Sequence, residues 1–115
     1  MNYNNDFKYD LKVGQVAEKD LGELLGKKIE VKRDLQAHQT GNVYVEYKSR
    51  GKWSGISTSE ADYYCFVIRD NRYILILTNE LKEKCRKYLG TKRDKAGGDL
   101  DTSKGILLPI TELIN

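Results

Sequence analysis

The chain predicts an α+β (mixed α/β) domain, a central mixed β-sheet flanked by helices, and three observations carry that prediction. Two neighbouring segments, Lys28–Asp34 and Asn42–Lys48, alternate residue by residue, the period of a strand. Two others, Val13–Leu25 and Asn79–Leu89, repeat apolar residues at three- and four-residue spacing, the period of a helix. Two strongly apolar runs of strand length, Cys65–Ile68 and Tyr73–Leu77, lie between those helices. The resulting order, αββαββαβ over 115 residues, fits one domain spanning 1–115.

Residues 1–12 are polar and rich in Tyr and Asn, a lead-in segment. In the first helix Val13, Val16, Ala17, Leu21, Leu24 and Leu25 form the apolar stripe, Glu18 stands at its margin, and Gly26 is placed to cap it. In Lys28–Asp34, Ile29, Val31 and Arg33 share one side, and Glu30, Lys32 and Asp34 the other. In Asn42–Lys48, Val43, Val45 and Tyr47 share one side, and Tyr44, Glu46 and Lys48 the other. Thr40-Gly41-Asn42 marks the connection, and antiparallel pairing would set Asp34 opposite Tyr44, Lys32 opposite Glu46 and Glu30 opposite Lys48. Ser49–Ser57 reads as a basic loop, and Ser57 with Glu60 has the capping-box spacing of a short helix through Tyr64. Asp70-Asn71 turns a hairpin between the two apolar runs. Asn79 caps a helix that buries Leu81, Cys85, Tyr88 and Leu89. Residues 90–104, charged and glycine-rich, read as a mobile loop, and Ile106–Ile110 as a last strand whose Pro109 points to a sheet edge.

Composition narrows the chemistry. A hydrophobic share of 39% is enough for a packed core. No run approaches the ~18–20 apolar residues of a membrane span, and no apolar signal-peptide core follows Met1, so the expectation is a cytoplasmic protein without a membrane partner. A single histidine, His38, excludes multi-histidine zinc chemistry. Cys65 and Cys85 lack metal-ligand spacing and read as small hydrophobes. The net charge of +3 decides little, because acidic metal ligands would offset a basic nucleic-acid surface.

Five ionisable residues, Glu30, Lys32, Asp34, Glu46 and Lys48, would converge on one sheet face in the predicted pairing. The bland explanation is a solvated face of cross-strand ion pairs, each worth a few tenths to about 1 kcal/mol. The functional one is phosphodiester hydrolysis, in which Mg²⁺, with Mn²⁺ as a substitute, takes carboxylate and water oxygens while a lysine handles the attacking water and phosphate charge. Asp34 and Glu46 are then the metal ligands and Lys48 the lysine, with Glu30 or Lys32 able to stand in from the adjacent strand.

These residues resemble the PD-(D/E)XK nuclease superfamily, whose core runs helix, strand with Asp, strand with (D/E)-x-K, helix. Gly14-Gln15-Val16-Ala17-Glu18-Lys19-Asp20-Leu21 is similar to the Gly-x-x-x-Glu-x-x-Leu opening of archaeal-type Holliday junction resolvases. The course from Thr40 to Tyr64 resembles small phage-type members. The resemblance covers about Val13–Leu77 and implies a restriction-endonuclease-like core, Glu18 as a third catalytic carboxylate and metal ligand, and a bacterial or phage-infected host cell as the setting. Two departures stand out: Arg33 precedes Asp34 where a proline or small residue is usual, and a second Glu-x-Lys occurs at Glu30-Val31-Lys32.

Arg50, Lys52 and Trp53 combine cations with an aromatic, suited to phosphate contact and base stacking or, equally, to a solvated turn with a tucked-in indole. Ser54 and Thr58 flank a segment able to offer hydroxyls and N–H groups to phosphate, or simply to cap a helix. His38 and Gln39 sit in a polar loop able to enter a groove, although a lone loop histidine is more often just surface. The cationic run Lys82, Lys84, Arg86, Lys87 is ordinarily a solvated helix face, though it could add counterion-release affinity for nucleic acid. The expectation is an Mg²⁺-dependent endonuclease on duplex or branched DNA, acting as a homodimer because one small chain offers one site. A non-catalytic nucleic-acid-binding module and a protein-interaction factor are the competing readings.

Overall fold

A computed structural model describes residues 26–115; the lead-in, the helix expected over Val13–Leu25 and Glu18 within it lie outside the described residues. The fold is α+β, with two sheets in place of the single central sheet expected. The first contains β1 (Ile29–Arg33), β4 (Tyr63–Arg69) and β5 (Arg72–Leu77) in the order β1-β4-β5. Strand β1 runs parallel to β4, and β4 and β5 form the expected hairpin around Asp70-Asn71. The second, antiparallel throughout, contains β2 (Asn42–Ser49), β3 (Lys52–Trp53), β6 (Asp94–Gly97) and β7 (Ser103–Pro109) in the order β3-β2-β7-β6.

The expected β1–β2 ladder is therefore not formed. Each strand found a partner distant in sequence, because β4 and β7 offer longer apolar runs to pair with and bury. Thr40 and Gly41 close a short helix, α1 (Ala37–Thr40), which turns the chain from one sheet into the other. Where a capped helix was expected after Ser57, a single 3-10 turn, Gly55–Ser57, leads on towards β4. Residues 90–104 are not one loop: β6 and the first residues of β7 come from this stretch. Pro109 ends an interior strand and precedes α3 (Ile110–Ile114), so it marks a strand end, not a sheet edge.

One core lies between the sheets. Val43 and Val45 of β2, Ile106 and Leu108 of β7, and Tyr64, Phe66 and Ile76 of the first sheet meet there, closed by Leu81 and Cys85 of α2 (Thr78–Arg86) and Leu113 of α3. Alternation explains the selection in the first half of each strand: Val43 and Val45 of β2 and Tyr64 and Phe66 of β4 are buried between less buried neighbours. Cys85 is buried and Cys65 half-buried, both as free thiols; burial, helped by nearby Glu112, pushes the Cys85 thiol up to about 12. Tyr73, the first residue of the apolar run Tyr73–Leu77, is exposed. Among the described residues no helix is long and apolar enough to cross a membrane.

Helices α2 and α3 are joined through Glu112, which accepts hydrogen bonds from Lys87 Nζ and from the Tyr88 hydroxyl. Lys87 foremost, then Tyr88, holds the Glu112 carboxyl below its usual range. A carboxylate with a lowered folded-state pKa adds stability that is complete above its ordinary pKa and is lost as pH falls through the folded value. The urea midpoint is thus expected to fall as the solution is taken from neutral pH through the carboxylate range, and Glu112→Gln to flatten that fall. An unchanged pH dependence in the variant would remove Glu112 from the account.

Candidate functional site

Strand β2 presents a free edge in its first half, because β3 pairs only with Lys48 and Ser49. The Tyr44 N–H on that edge is taken by Asp34, whose Oδ2 accepts it at 3.2 Å. Asp34 sits just beyond β1, its own N–H donating to Val67 O at 2.9 Å and so prolonging the parallel pairing with β4. A carboxylate thus substitutes for a missing strand at the point where the two sheets diverge.

Two residues further along β2, Glu46 lines a cleft of about 200 Å³ together with Lys32, Tyr44, Gly55, Ile56 and Phe66. The Ser54 hydroxyl donates to Glu46 Oε2 at 3.0 Å. Lys32 is brought there by the β1–β4 register, which sets it beside Phe66 on the inward-facing side of β4. Glu30 lies on the same side, beside Tyr64, outside the lining of the cleft. Tyr64, also in the lining, is buried, and burial raises its pKa. Its hydroxyl makes no hydrogen bond among the described residues; Ser59 is close enough to temper that rise but lies outside hydrogen-bonding geometry.

Lys48 goes elsewhere. Between Glu46 and Lys48 the ladder to β7 slips: Glu46 faces Gly105 and Lys48 faces Lys104, leaving Tyr47 as an extra residue. Such a bulge shifts the alternation by one, so Lys48 points to the face opposite Glu46. This corrects the shared face expected from their two-residue spacing. Lys48 instead lines a second, larger groove of about 540 Å³ with Trp53, Lys82, Arg86 and Lys104 around a floor that includes Ile56 and Ile106. Its Nζ stands 5.1 Å from the centre of the Trp53 ring. Tyr47, also lining this groove, donates to Asp94 Oδ1 at 2.8 Å; burial first, then that carboxylate, pushes its phenol up to about 12.

None of Glu30, Lys32, Asp34, Glu46 and Lys48 takes part in an ion pair among the described residues, whose four pairs all involve other side chains. The reading of these residues as a face of cross-strand salt bridges therefore fails. The described residues hold no group of three or more His, Cys, Asp or Glu able to grip a metal ion.

The residues expected to meet nucleic acid fall at two ends of β2. Arg50 and Gly51, both with positive φ, make the tight turn into β3, on which Lys52 and Trp53 are exposed. Trp53 is accordingly not tucked into the core. Thr58 is exposed and caps no longer helix, because the 3-10 turn ends at it. His38 and Gln39 lie in α1, before the start of β2, with His38 Nδ1 3.3 Å from Ile68 O. Eight strand residues, roughly 25 Å, separate them from the Arg50 turn. Of the groove residues, Lys104 is the one that sequence reasoning did not raise; Lys82 and Arg86 were raised only within a cationic run whose ordinary reading is a solvated helix face. The usable signal was the four-residue spacing of Lys82 and Arg86, which puts both on one side of α2, while Lys84 and Lys87 turn to Glu112. Set against family models, curated proteins and solved structures, the chain matches none of the three.

Proposed function

We propose that the protein is a divalent-metal-dependent endonuclease acting on DNA, with its reaction centre at the Glu46 cleft. One observation carries the reading: Lys32 and Glu46 line the same small cleft without closing into an ion pair, and Asp34 is bonded to the strand that bears Glu46. A lysine and a carboxylate serving only to hold strands together would meet; held apart across a cleft, both are free to engage a ligand.

The two carboxylates of Asp34 and Glu46 and the Ser54 hydroxyl are hard oxygen donors of the type Mg²⁺ and Mn²⁺ take; with fewer than three carboxylates they would leave most of the ion's positions to water and the phosphate. An ion held by them would supply charge neutralisation to the phosphodiester and lower the pKa of a water molecule. Ser54 orients the Glu46 carboxylate, fixing which of its oxygens remains open. Lys32 faces the same space with its ammonium free to offset charge that grows on the phosphate. Lys48, on the far side of β2, is left to hold an unpaired stretch of the DNA. Glu30, and Glu18 through the resolvase resemblance, complete the set of candidate ligands. The reading extends to branched DNA as substrate, to a homodimer that cuts both strands, and to the cytoplasm as its place of action.

Nicking of supercoiled plasmid and of a four-way junction in Mg²⁺ or Mn²⁺ tests this. Asp34→Ala and Glu46→Ala are each expected to lower the rate by about 100-fold or more, with far-UV circular dichroism retained. Parental rates in both variants would rule the site out. The basic groove favours one alternative, a nucleic-acid-binding module without catalysis, which tight binding by a parent that never cuts would establish.

A further inference from the structure

We propose that the groove on the opposite side of β2 from Glu46 is a binding site for single-stranded nucleic acid. The groove's own lining supports this assignment, whether or not the cleft cuts.

Four cations surround this concavity, Lys48 from β2, Lys82 and Arg86 from α2, and Lys104 from β7, and no carboxylate lines it. Three elements distant in sequence have thus each delivered positive charge to one place. Among the described residues Lys48, Lys82 and Arg86 have no ion-pair partner. Lys104 comes only within 3.9 Å of Asp94, whose carboxylate is already engaged by the Tyr47 hydroxyl and the Gly90 N–H. Other lysines of the same helix behave differently: Lys84 and the adjoining Lys87 are neutralised by Glu112. Unneutralised like charges around a concave surface repel one another, and a polyanion relieves that repulsion.

Charge alone would suit any polyanion; the aromatic wall narrows the class. Trp53 is 66% exposed at the rim, yet it is oriented, with Lys48 over its ring and the Tyr47 ring 6.5 Å away. Ile56, Ile106 and Leu89 add apolar lining. Phosphates along a cationic track with an aromatic face for a base is the arrangement that holds single strands without regard to sequence. A duplex keeps its base faces stacked inside and offers such a groove only its backbone. At about 540 Å³ the space is of small-ligand size, which suits a base and its neighbouring phosphates.

Trp53 is the only tryptophan in the chain, so its emission reports on this groove alone. Protein titrated with a 12-mer oligothymidylate in EDTA, where no metal-dependent cutting occurs, is expected to show saturable quenching. A duplex of equal length should bind at least about tenfold more weakly, and oligouridylate comparably to the DNA strand. The double variant Lys82→Ala/Arg86→Ala should bind about tenfold more weakly and lower the log–log salt slope by about 1.4, at about 0.7 for each phosphate no longer neutralised. Lys95→Ala, on the edge strand β6 and outside the groove lining, should match the parent. With a labelled strand and anisotropy detection, Trp53→Ala should also bind about tenfold more weakly while Trp53→Phe retains most affinity. Absence of quenching, an unweakened double variant, or equal binding of duplex or heparin would overturn the proposal. Because EDTA silences the cleft, failure here is distinguishable from failure of the nuclease reading.

Discussion

Lys32→Ala is expected to lower the kcat of metal-dependent nicking by about 100-fold, whereas Lys48→Ala should leave kcat within about threefold and act on DNA affinity. The asymmetry follows from the bulge at Tyr47. Lys32 shares a cleft with Glu46; Lys48 lines the groove beyond the sheet, beside Trp53 and Lys104. Single-turnover rates at saturating DNA separate the two effects, since they remove binding from the comparison. Should Lys48→Ala abolish turnover while Lys32→Ala leaves it intact, the cleft would have been given the wrong lysine. Neither substitution is expected to threaten the fold, because neither side chain belongs to the core or to an ion pair among the described residues.

Gly55→Ala is expected to destabilise the protein by about 2–4 kcal/mol and to abolish cutting with it. Gly55 has φ +53, and a Cβ there would stand 2.2 Å from the carbonyl oxygen of Glu46. That oxygen belongs to the backbone and cannot swing aside, so the 3-10 turn or the strand must shift. Either movement breaks the Ser54–Glu46 hydrogen bond and displaces Ile56 from the core. Gly51→Ala is the control: its φ is +77, but nothing lies within 4 Å of the added carbon, leaving only the left-handed backbone cost of about 1–2 kcal/mol. Urea midpoints measured side by side check the pair, and equal losses would mean that the contact with Glu46 is not what confines position 55.

What could be read in the sequence was local. The alternation in Asn42–Lys48 put Val43 and Val45 on one side, and that side is the buried one, because a half-buried strand must segregate its faces. The hairpin around Asp70-Asn71 was legible for the same reason: its turn residues and two apolar runs are neighbours in the chain. Long-range pairing was not legible. Strand β1 could have paired with any strand of similar pattern, and its choice of β4 depends on packing spread over the whole core. Strand β6 was hidden because an edge strand can be polar; Asp94-Lys95-Ala96-Gly97 contributes backbone to β7 and little side-chain burial. At the candidate site, the proximity of Lys32 to Glu46 and of Asp34 to Tyr44 was anticipated, although from a ladder that does not form. The mismatch between Glu46 and Lys48 could not be seen, since a bulge adds no unusual residue type, only one residue too many.

That surplus residue makes Tyr47 a parity switch. Upstream of it, even-numbered positions of β2 look towards the Glu46 cleft; downstream, they look towards the groove. Glu-x-Lys written along this strand is therefore two addresses on opposite sides of one wall. Lining up this chain against any other by the constant spacing of that triplet would equate lysines that serve different rooms, unless the other chain carries the same extra step at the same place.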